Sequence, residues 1–270
     1  MVKVSFDEAL KDFVVLLLNY RLPLLTPTLI RHAKRVICLD GGLNLFDRLR
    51  EDNPILKDHF PHSVIGDFDS VEKDLLTKYK QLGSDVDHDT DQDTNDMEKG
   101  FTYLLSEYEH ADRSQLYSPA IFVVGALGGR FDQEMANISA MVKFQTKFQK
   151  LSPKLPPPQI FILSNSSLIT TLLPSKEISS EPSSHHHTII QSRYETNPCG
   201  IIPLGKCDHV LTTGLKWNVN GPLEFGTFIS SSNEIEHQDN PVTIDNSQTL
   251  LWTSMLKSES LHNSFPEPMT

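Results

Sequence analysis

The chain has 270 residues and a formal net charge of −11, with 24 Lys and Arg against 35 Asp and Glu. This length suits one large domain or two smaller ones, and the acidic balance argues against nonspecific binding to nucleic acid or an anionic membrane. The odd set of cysteines, Cys38, Cys199 and Cys207, lacks CxxC spacing and indicates a reducing, cytoplasmic compartment.

Alternating strands and helices are predicted for the first 165 residues. Apolar runs predict buried strands at 13–18, 35–39, 63–65, 120–124 and 159–163. The first run is too short to span a bilayer, and acidic residues precede it, so we expect neither a signal peptide nor a membrane span. Helical spacing predicts helices at 28–35, 43–50, 71–81, 96–108 and 131–148. This alternation predicts an α/β domain over residues 1–165, built on a parallel sheet covered on both faces.

The pattern changes after about residue 165. Residues 175–197 are rich in Ser, Glu and His and lack periodicity, which predicts a flexible insertion. Residues 199–253 are strand-rich and carry turn signals. We therefore predict a second domain over residues 166–270, built as a small antiparallel sandwich or barrel.

Aspartates cluster at two predicted strand ends. Asp40 follows the strand at 35–39, and Gly66-Asp67-Phe68-Asp69-Ser70 follows the strand at 63–65. Ligands gather at the carboxyl ends of strands in an open parallel sheet, and such carboxylates can share a Mg²⁺ that also holds phosphate oxygens. Each motif also fits a turn or a helix cap, with Ser70 a candidate cap, and a DxD motif after a strand also occurs in nucleotide-sugar transferases.

A third acidic cluster, residues 85–98, allows three interpretations. Its acidic and amide side chains match ligand positions of an EF-hand loop at Asp87, Asp89, Asp91, Asp93, Asn95 and Glu98. Gln92 stands where such a loop needs glycine, and no second EF-hand follows. A calcium-binding module, a solvated acidic loop, and a segment that returns Asp96 to the rim near Asp67 are the alternatives.

A glycine-rich loop joins the strand at 120–124 to the helix at 131–148. Its glycines free backbone N–H groups, and the N-terminus of the following helix favours an anion. Arg130 adds a forked cation suited to phosphate, and Asp132 is a candidate helix cap. Because GxxxxGK[ST] and GxGxxG are both absent, the chain is not a P-loop kinase, and an ordinary dinucleotide site is not expected.

The second predicted domain holds two candidate binding segments. Trp217 has polar neighbours and offers a stacking face for a flat or cationic ring, with core packing as the alternative. The serines and the asparagine of residues 230–233 offer uncharged donors and acceptors at a strand end.

Together these segments resemble the thiamine pyrophosphokinases of the eukaryotic cytosolic type. The resemblance covers nearly the whole chain and is carried, in a shared order, by residues 39–44, 66–70, 91–96, 128–133, 213–218, 230–233 and 250–253. It implies an N-terminal α/β domain, a C-terminal all-β sandwich, and a homodimer with active sites at the interface. It also implies a Mg²⁺-dependent transfer of the pyrophosphoryl group of ATP to the hydroxyl of thiamine, with AMP released.

The resemblance also implies roles for individual residues. Mg²⁺ and the phosphates would be gathered by Asp40, Asp67, Asp69 and Asp96. The catalytic residues would be Asp67, Asp69, Asp96 and Arg130. The substrates would also be contacted by Gln92 on the pyrimidine or phosphate side and by Arg130 and Asp132 at the nucleotide. The thiamine pocket would be lined, from the other subunit, by Trp217, Ser230, Ser232 and Asn233.

Overall fold

The computed structural model describes residues 2–110, 117–152, 155–174, 186–237 and 240–257, which group into two units by their contacts. The α/β unit comprises the described residues from 12 to 165, and the β unit comprises residues 2–11 with the described residues from 166 to 257. Residues 2–11 form β1 (Val2–Ser5) and α1 (Phe6–Ala9). Among the described residues, no helix has the length and apolar character needed to cross a membrane.

Six strands in the described part of the α/β unit form a sheet in which all neighbours are parallel. They are β2 (Phe13–Leu17), β3 (Arg35–Leu39), β4 (Ser63–Gly66), β5 (Asp85–His88), β6 (Ala120–Val124) and β7 (Gln159–Leu163). Their order is β7-β6-β2-β3-β4-β5. Successive side chains of a strand point to opposite faces, and β2, β3, β4 and β6 are buried along their whole length. Both faces are therefore covered, which confirms the predicted parallel α/β sheet.

The helices of the α/β unit connect these strands. They are α2 (Thr26–His32), α3 (Gly42–Asp52), α4 (Lys73–Gln81), α5 (Asp96–His110) and α6 (Phe131–Leu151), with a 3₁₀ turn at Pro54–Leu56. The predicted cap at Ser70 is wrong, because α4 begins two residues late and Glu72 occupies its N-cap position. Ser70 instead donates a hydrogen bond of 2.7 Å to Asp69 Oδ1.

Strand β5 corrects the interpretation of the third acidic cluster. The polar side chains at Asp85, Asp87 and His88 hide the strand pattern, yet the backbone pairs with β4 from Ser63↔Asp85 to Gly66↔His88. An EF-hand needs a helix before its loop and a calcium ligand at the first loop position. Here that position, Asp87, lies within a strand, so the EF-hand interpretation is wrong.

Helix α5 packs closely against strand β3 and runs in the opposite direction. A Cβ at Gly100 would lie 2.7 Å from Leu39 Cδ2, so a larger residue here would require the buried Leu39 side chain to shift. At the other end of the contact, Arg35 donates hydrogen bonds of 2.6 and 2.8 Å to the carboxylate of Glu107. The residue that follows β3, Asp40, is thereby held on the side of the N-terminal residue of α5, Asp96.

The remaining described strands form the β unit. They are β8 (Ser167–Leu172), β9 (His187–Ile190), β10 (Glu195–Pro203), β11 (Cys207–Thr213), β12 (Asn220–Leu223), β13 (Ser230–Asn233), β14 (Val242–Asn246) and β15 (Leu250–Leu256). Within this unit their orders are β1-β9-β14-β11-β12 and β13-β10-β15-β8. Pairing is antiparallel except between β1 and β9. The strand-rich C-terminal domain is confirmed.

The prediction of a flexible insertion at residues 175–197 is wrong for residues 187–190 and 195–197, which lie in strands. Residues 175–185 lie outside the described residues, whereas His187–Ile190 and Glu195–Pro203 form strands. His187 is buried, and its Nε2 lies 2.8 Å from the carbonyl oxygen of Leu173. Buried polar side chains such as His187, Thr188 and Glu195 obscure the strand signal in the sequence.

The ion pair between β3 and α5 gives a stability prediction. We expect Arg35→Met to lower the free energy of unfolding by about 2 kcal/mol, because it leaves the half-buried Glu107 carboxylate unpaired. Urea unfolding measures the change. Arg48→Met is the matched control, since the Arg48–Glu72 pair is exposed and should contribute little. Equal effects of the two substitutions would contradict the structural importance of the buried pair.

Candidate active site at the strand ends

The strand order of the α/β unit reverses beside β2. The chain adds β3, β4 and β5 on one side of β2, and then β6 and β7 on the other. Such a reversal leaves a crevice at the carboxyl ends of the strands, where ligands bind. A cavity of about 560 Å³ lies there and is lined by residues that follow β2, β3, β4 and β6 and by the start of α5. Its volume is that of a small-molecule site.

Three of the predicted metal ligands meet in this cavity. One carboxylate oxygen from each of Asp40, Asp67 and Asp69 lies within 4.8 Å of the other two. The backbone N–H of Asp40 donates a 2.7 Å hydrogen bond to Ile65 O, which ties the ends of β3 and β4 together. Phe68, between the other two aspartates, has a φ of 63°, in the left-handed region that bulky side chains rarely adopt. Local strain therefore accompanies the arrangement of the carboxylates.

Asp40 carries the observation that best tests whether a cation fits this site. The residue is 3% exposed, and its Oδ1 is buried without a hydrogen-bond partner in the described part of the chain. A buried carboxylate oxygen without a partner is costly. Hard cations such as Mg²⁺ prefer carboxylate oxygens, and three of these converge here. The donor set therefore fits Mg²⁺.

Asp96, the first residue of α5, also lines the cavity. Burial raises the pKa of its carboxyl group to about 6, and the negative charge of Asp40 adds to the rise. Asp67 and Asp69 contribute in the same direction, whereas the Lys99 ammonium opposes them. The structure thus brings all four predicted metal ligands into one electrostatic environment.

Lys99 is a site residue that motif inspection missed. Its side chain is 1% exposed, and its Nζ lies 2.9 Å from Asp67 Oδ2. The hydrogen bond from Lys99 is the main cause that lowers the pKa of Asp67. Burial alone would lower the pKa of Lys99, but the hydrogen bond and charge of Asp67 outweigh it and raise that pKa. Helical spacing is the sequence signal that could have identified Lys99, since it follows Asp96 by three residues and shares its helix face.

Gln92 forms a hydrogen bond with the same carboxylate, that of Asp67. Its Nε2 donates a 3.0 Å hydrogen bond to Asp67 Oδ2, the oxygen that also receives Lys99. The structure therefore brings Gln92 to the cluster through Asp67.

The glycine-rich loop forms another part of the cavity wall. At Gly125 φ is 76°, and a Cβ there would overlap Leu18 O, so this position requires glycine. The Gly128 N–H donates a 2.8 Å hydrogen bond to Glu134 Oε1. Arg130 lines the cavity and pairs with Asp132 at 3.1 and 2.5 Å. The N-cap position of α6 is Arg130, so the alternative in which Asp132 caps the helix is wrong.

Two asparagines that were not among the predicted residues of this site, Asn95 and Asn137, also line the cavity. Asn95 Oδ1 accepts a 2.8 Å hydrogen bond from the Glu98 N–H and thereby caps α5, the helix of Asp96. Asn137, which is buried in α6, donates a 3.1 Å hydrogen bond to Ala126 O in the glycine-rich loop. These amides hold the two helices at the cavity in place.

The four candidates of the β unit differ in exposure. Trp217 is 54% exposed, which is contrary to simple core packing, and Lys216 Nζ lies 4.5 Å from its ring centroid. Ser232 is exposed, whereas Ser230 and Asn233 are buried. Asn233 Nδ2 donates 2.8 and 2.9 Å hydrogen bonds to Trp217 O and Ser230 Oγ, and Asn233 Oδ1 accepts from the Trp217 N–H. The buried pair therefore holds the loop that presents Trp217.

Comparisons with known proteins identify the family. The family model described as thiamin pyrophosphokinase, catalytic domain, matches residues 26–152, and the one described as its vitamin B1 binding domain matches residues 186–251. Thiamine pyrophosphokinase 1 of Arabidopsis thaliana is 35% identical over 260 residues, which cover 92% of this chain and 88% of the plant protein. The chain belongs to the thiamine pyrophosphokinase family.

Further thiamine pyrophosphokinases agree with this identification. Thiamine pyrophosphokinase 3 of Oryza sativa subsp. japonica is 35% identical over 259 residues, which cover 92% of this chain and 88% of the rice protein. The crystal structure of yeast thiamin pyrophosphokinase is 19% identical and shares the fold, with a TM-score of 0.75 over 96% of this chain and 92% of that chain. The family resemblance stated from the motifs is confirmed, and the nucleotide-sugar transferase alternative is set aside.

The raised pKa of Asp96 gives a prediction for the metal-free protein. Its carboxyl group has a pKa of about 6 in the folded protein and 3.8 as its ordinary value. The folded protein therefore binds more protons than the unfolded chain between these pH values, and its stability falls as pH rises through that window. We expect Asp96→Asn to remove this fall and to stabilise the metal-free protein at neutral pH by about 2 kcal/mol.

Urea unfolding in the presence of EDTA, at pH 5 and at pH 7.5, measures this effect. Asp93→Asn is the matched control, because it removes an exposed carboxylate from the same acidic segment. An Asp96→Asn protein that is less stable than wild type at pH 7.5 would contradict an unfavourable burial of the Asp96 charge beside Asp40.

Proposed function

We propose that this chain transfers the pyrophosphoryl group of ATP to the hydroxyl of thiamine and releases AMP. Membership in the thiamine pyrophosphokinase family supports the reaction. The main observation that supports this location for the reaction is the convergence of Asp40, Asp67 and Asp69 in the cavity at the strand ends. Asp40 Oδ1 has no hydrogen-bond partner among the described residues.

The carboxylate cluster is the proposed magnesium site. Asp40, Asp67 and Asp69 would hold the cation, with Asp96 beside them. When bound, Mg²⁺ would neutralise charge on the triphosphate, which is the main requirement of phosphoryl-transfer chemistry. Asp40 would thereby gain the partner that its buried oxygen lacks.

The glycine-rich loop and α6 are the proposed phosphate-binding elements. Gly125, Ala126 and Gly129 of the loop line the cavity, and the N-terminus of α6 favours anions. Arg130 would exchange Asp132 for a phosphate oxygen. Both side chains of that pair are more than 60% exposed, so breaking it should cost little. Arg130 and Asp132 together would then lie beside the nucleotide.

The chemical step follows from this placement. The hydroxyl oxygen of thiamine attacks the β-phosphorus of ATP, the bond from that phosphorus to the α,β-bridging oxygen breaks, and AMP leaves. Asp96 would orient the hydroxyl and accept its proton, because it lines the same cavity as the carboxylate cluster. Gln92 would contact the pyrimidine or phosphate side of the substrates from its position on Asp67.

The β unit would supply the thiamine-binding surface. In the proposed homodimer, Trp217, Ser230, Ser232 and Asn233 of one subunit line the thiamine site of the other. The exposure of Trp217, together with Phe225 at 63% and Phe228 at 52%, supports a surface that is covered in an assembly. The three free, buried cysteines support the proposed cytoplasmic location.

The identity of the nucleotide product tests the proposal. Full-length protein with Mg-ATP and thiamine should give AMP and thiamine diphosphate in equal amounts, measured by chromatography. Asp67→Asn should lower kcat by about 100-fold or more because it removes charge from the triphosphate site. Asp93→Asn, which alters an exposed neighbour, should stay near wild type.

Two outcomes would contradict the proposal in different ways. Release of ADP would point to ordinary kinase chemistry, and near-normal AMP release by folded Asp67→Asn would remove the carboxylate cluster from the reaction.

Trp217→Ala provides a companion measurement for the thiamine side. It should raise KM for thiamine and leave KM for ATP unchanged.

A further inference from the structure

Lys99 occupies an unusual position for its residue type. Among the described residues it is the only lysine in the buried class, and it lies in α5 one turn after Asp96. Burying an ammonium group costs several kcal/mol unless a well-placed partner offsets it. That partner is Asp67 Oδ2, 2.9 Å from Nζ. A buried lysine on a candidate metal ligand calls for a specific explanation.

The hydrogen bonds of Asp67 are divided unequally between its two oxygens. Oδ2 accepts from both Lys99 Nζ and Gln92 Nε2, at 2.9 and 3.0 Å. Oδ1 accepts one longer hydrogen bond, 3.3 Å, from the Asp69 N–H. The carboxylate is therefore held in one orientation by strong donors on Oδ2, and Oδ1 keeps capacity for a further ligand.

The charge of Lys99 matters as much as its hydrogen bond. Four carboxylates influence one another at this site, namely Asp40, Asp67, Asp69 and Asp96. Without a nearby positive charge, such a set would attract a divalent cation strongly even when no nucleotide is present. Lys99 places one fixed positive charge on the cluster and so reduces that attraction.

We propose that Lys99 is a positioning residue that holds Asp67 by Oδ2 and weakens cation binding until the nucleotide arrives. The inference rests on the proposed function, because it assigns the carboxylate cluster to the Mg-ATP site. Lys99 would then have two roles. It sets the orientation of a metal ligand, and it makes the cation enter with the triphosphate rather than ahead of it.

Lys99→Met tests the proposal, since methionine has a similar length and no charge. The probe is Mn²⁺ alone, titrated into the full-length, nucleotide-free protein and followed by electron paramagnetic resonance of the free ion. We expect Lys99→Met to bind Mn²⁺ about tenfold more tightly, the effect of removing a unit charge about 6 Å from a divalent cation in water. We also expect kcat to fall about tenfold or more, because Asp67 loses its orientation.

The two readouts move in opposite directions only if Lys99 acts as proposed. A merely structural lysine would weaken Mn²⁺ binding and turnover together when it is replaced. Lys143→Met is the control. Lys143 lies in α6 and pairs with Glu98, the neighbour of Lys99 in α5, but its side chain is 54% exposed. It should change neither quantity.

Equal or weaker Mn²⁺ binding by folded Lys99→Met would overturn the proposal, as would an unchanged kcat. If Lys99→Met fails to fold, Lys99→Gln tests the effect of the charge through Mn²⁺ binding alone, because it removes the charge and keeps an N–H donor; Mn²⁺ binding that is no tighter than in the wild type would then overturn the proposal. Failure of the proposed function is recognised separately, since wild-type protein would then release no AMP from Mg-ATP and thiamine.

Discussion

Negative charge held at one edge of a parallel sheet is the constraint on which this structure depends. Asp40 is buried at the end of β3, and Asp67, Asp69 and Asp96 lie within its electrostatic reach. Such a cluster is unfavourable in the protein alone, because desolvation and like-charge repulsion both oppose ionisation. The raised pKa of Asp96 reflects this unfavourable free energy of ionisation. A site of this kind makes physical sense when a cation and a triphosphate complete it.

The surrounding fold holds the cluster together against this repulsion. Arg35 and Glu107 join the start of β3 to the later part of α5, and Gly100 lets the helix approach Leu39. The Asp40 N–H binds Ile65 O and fixes the ends of two neighbouring strands relative to each other. Positive φ angles at Asp40 and Phe68 show that the backbone accepts strain at the same place. Stability elsewhere in the sheet offsets these local costs.

The sequence predicted those features that depend on continuous patterns. Fully buried strands such as Phe13–Leu17 and Ala120–Val124 appear as uninterrupted apolar runs, because both faces of the sheet are covered. Strand β5 escaped prediction because its side chains are mostly polar and only backbone pairing with β4 reveals it. The start of α4 was misplaced because Ser70 binds Asp69 rather than a helix N–H.

The candidate site was predictable in its carboxylates and less so in its supporting groups. Asp40, Asp67 and Asp69 follow strands, so the topology of a parallel sheet brings them to one edge. The role of Lys99 depends on burial and on a contact across 32 positions, neither of which its helical spacing from Asp96 reveals. The supporting contacts of Asn233 were likewise not predictable, because its hydrogen bond to Trp217 O spans 16 positions of the chain.

The most direct test of the central claim is a crystal structure of the full-length protein with Mg²⁺ and a non-hydrolysable ATP analogue. We expect the cation to be coordinated by Asp40, Asp67 and Asp69, with the phosphates reaching Arg130 and the N-terminus of α6. A cation bound instead by the aspartates at 87–93, with Asp40 and Asp67 free of it, would contradict the account.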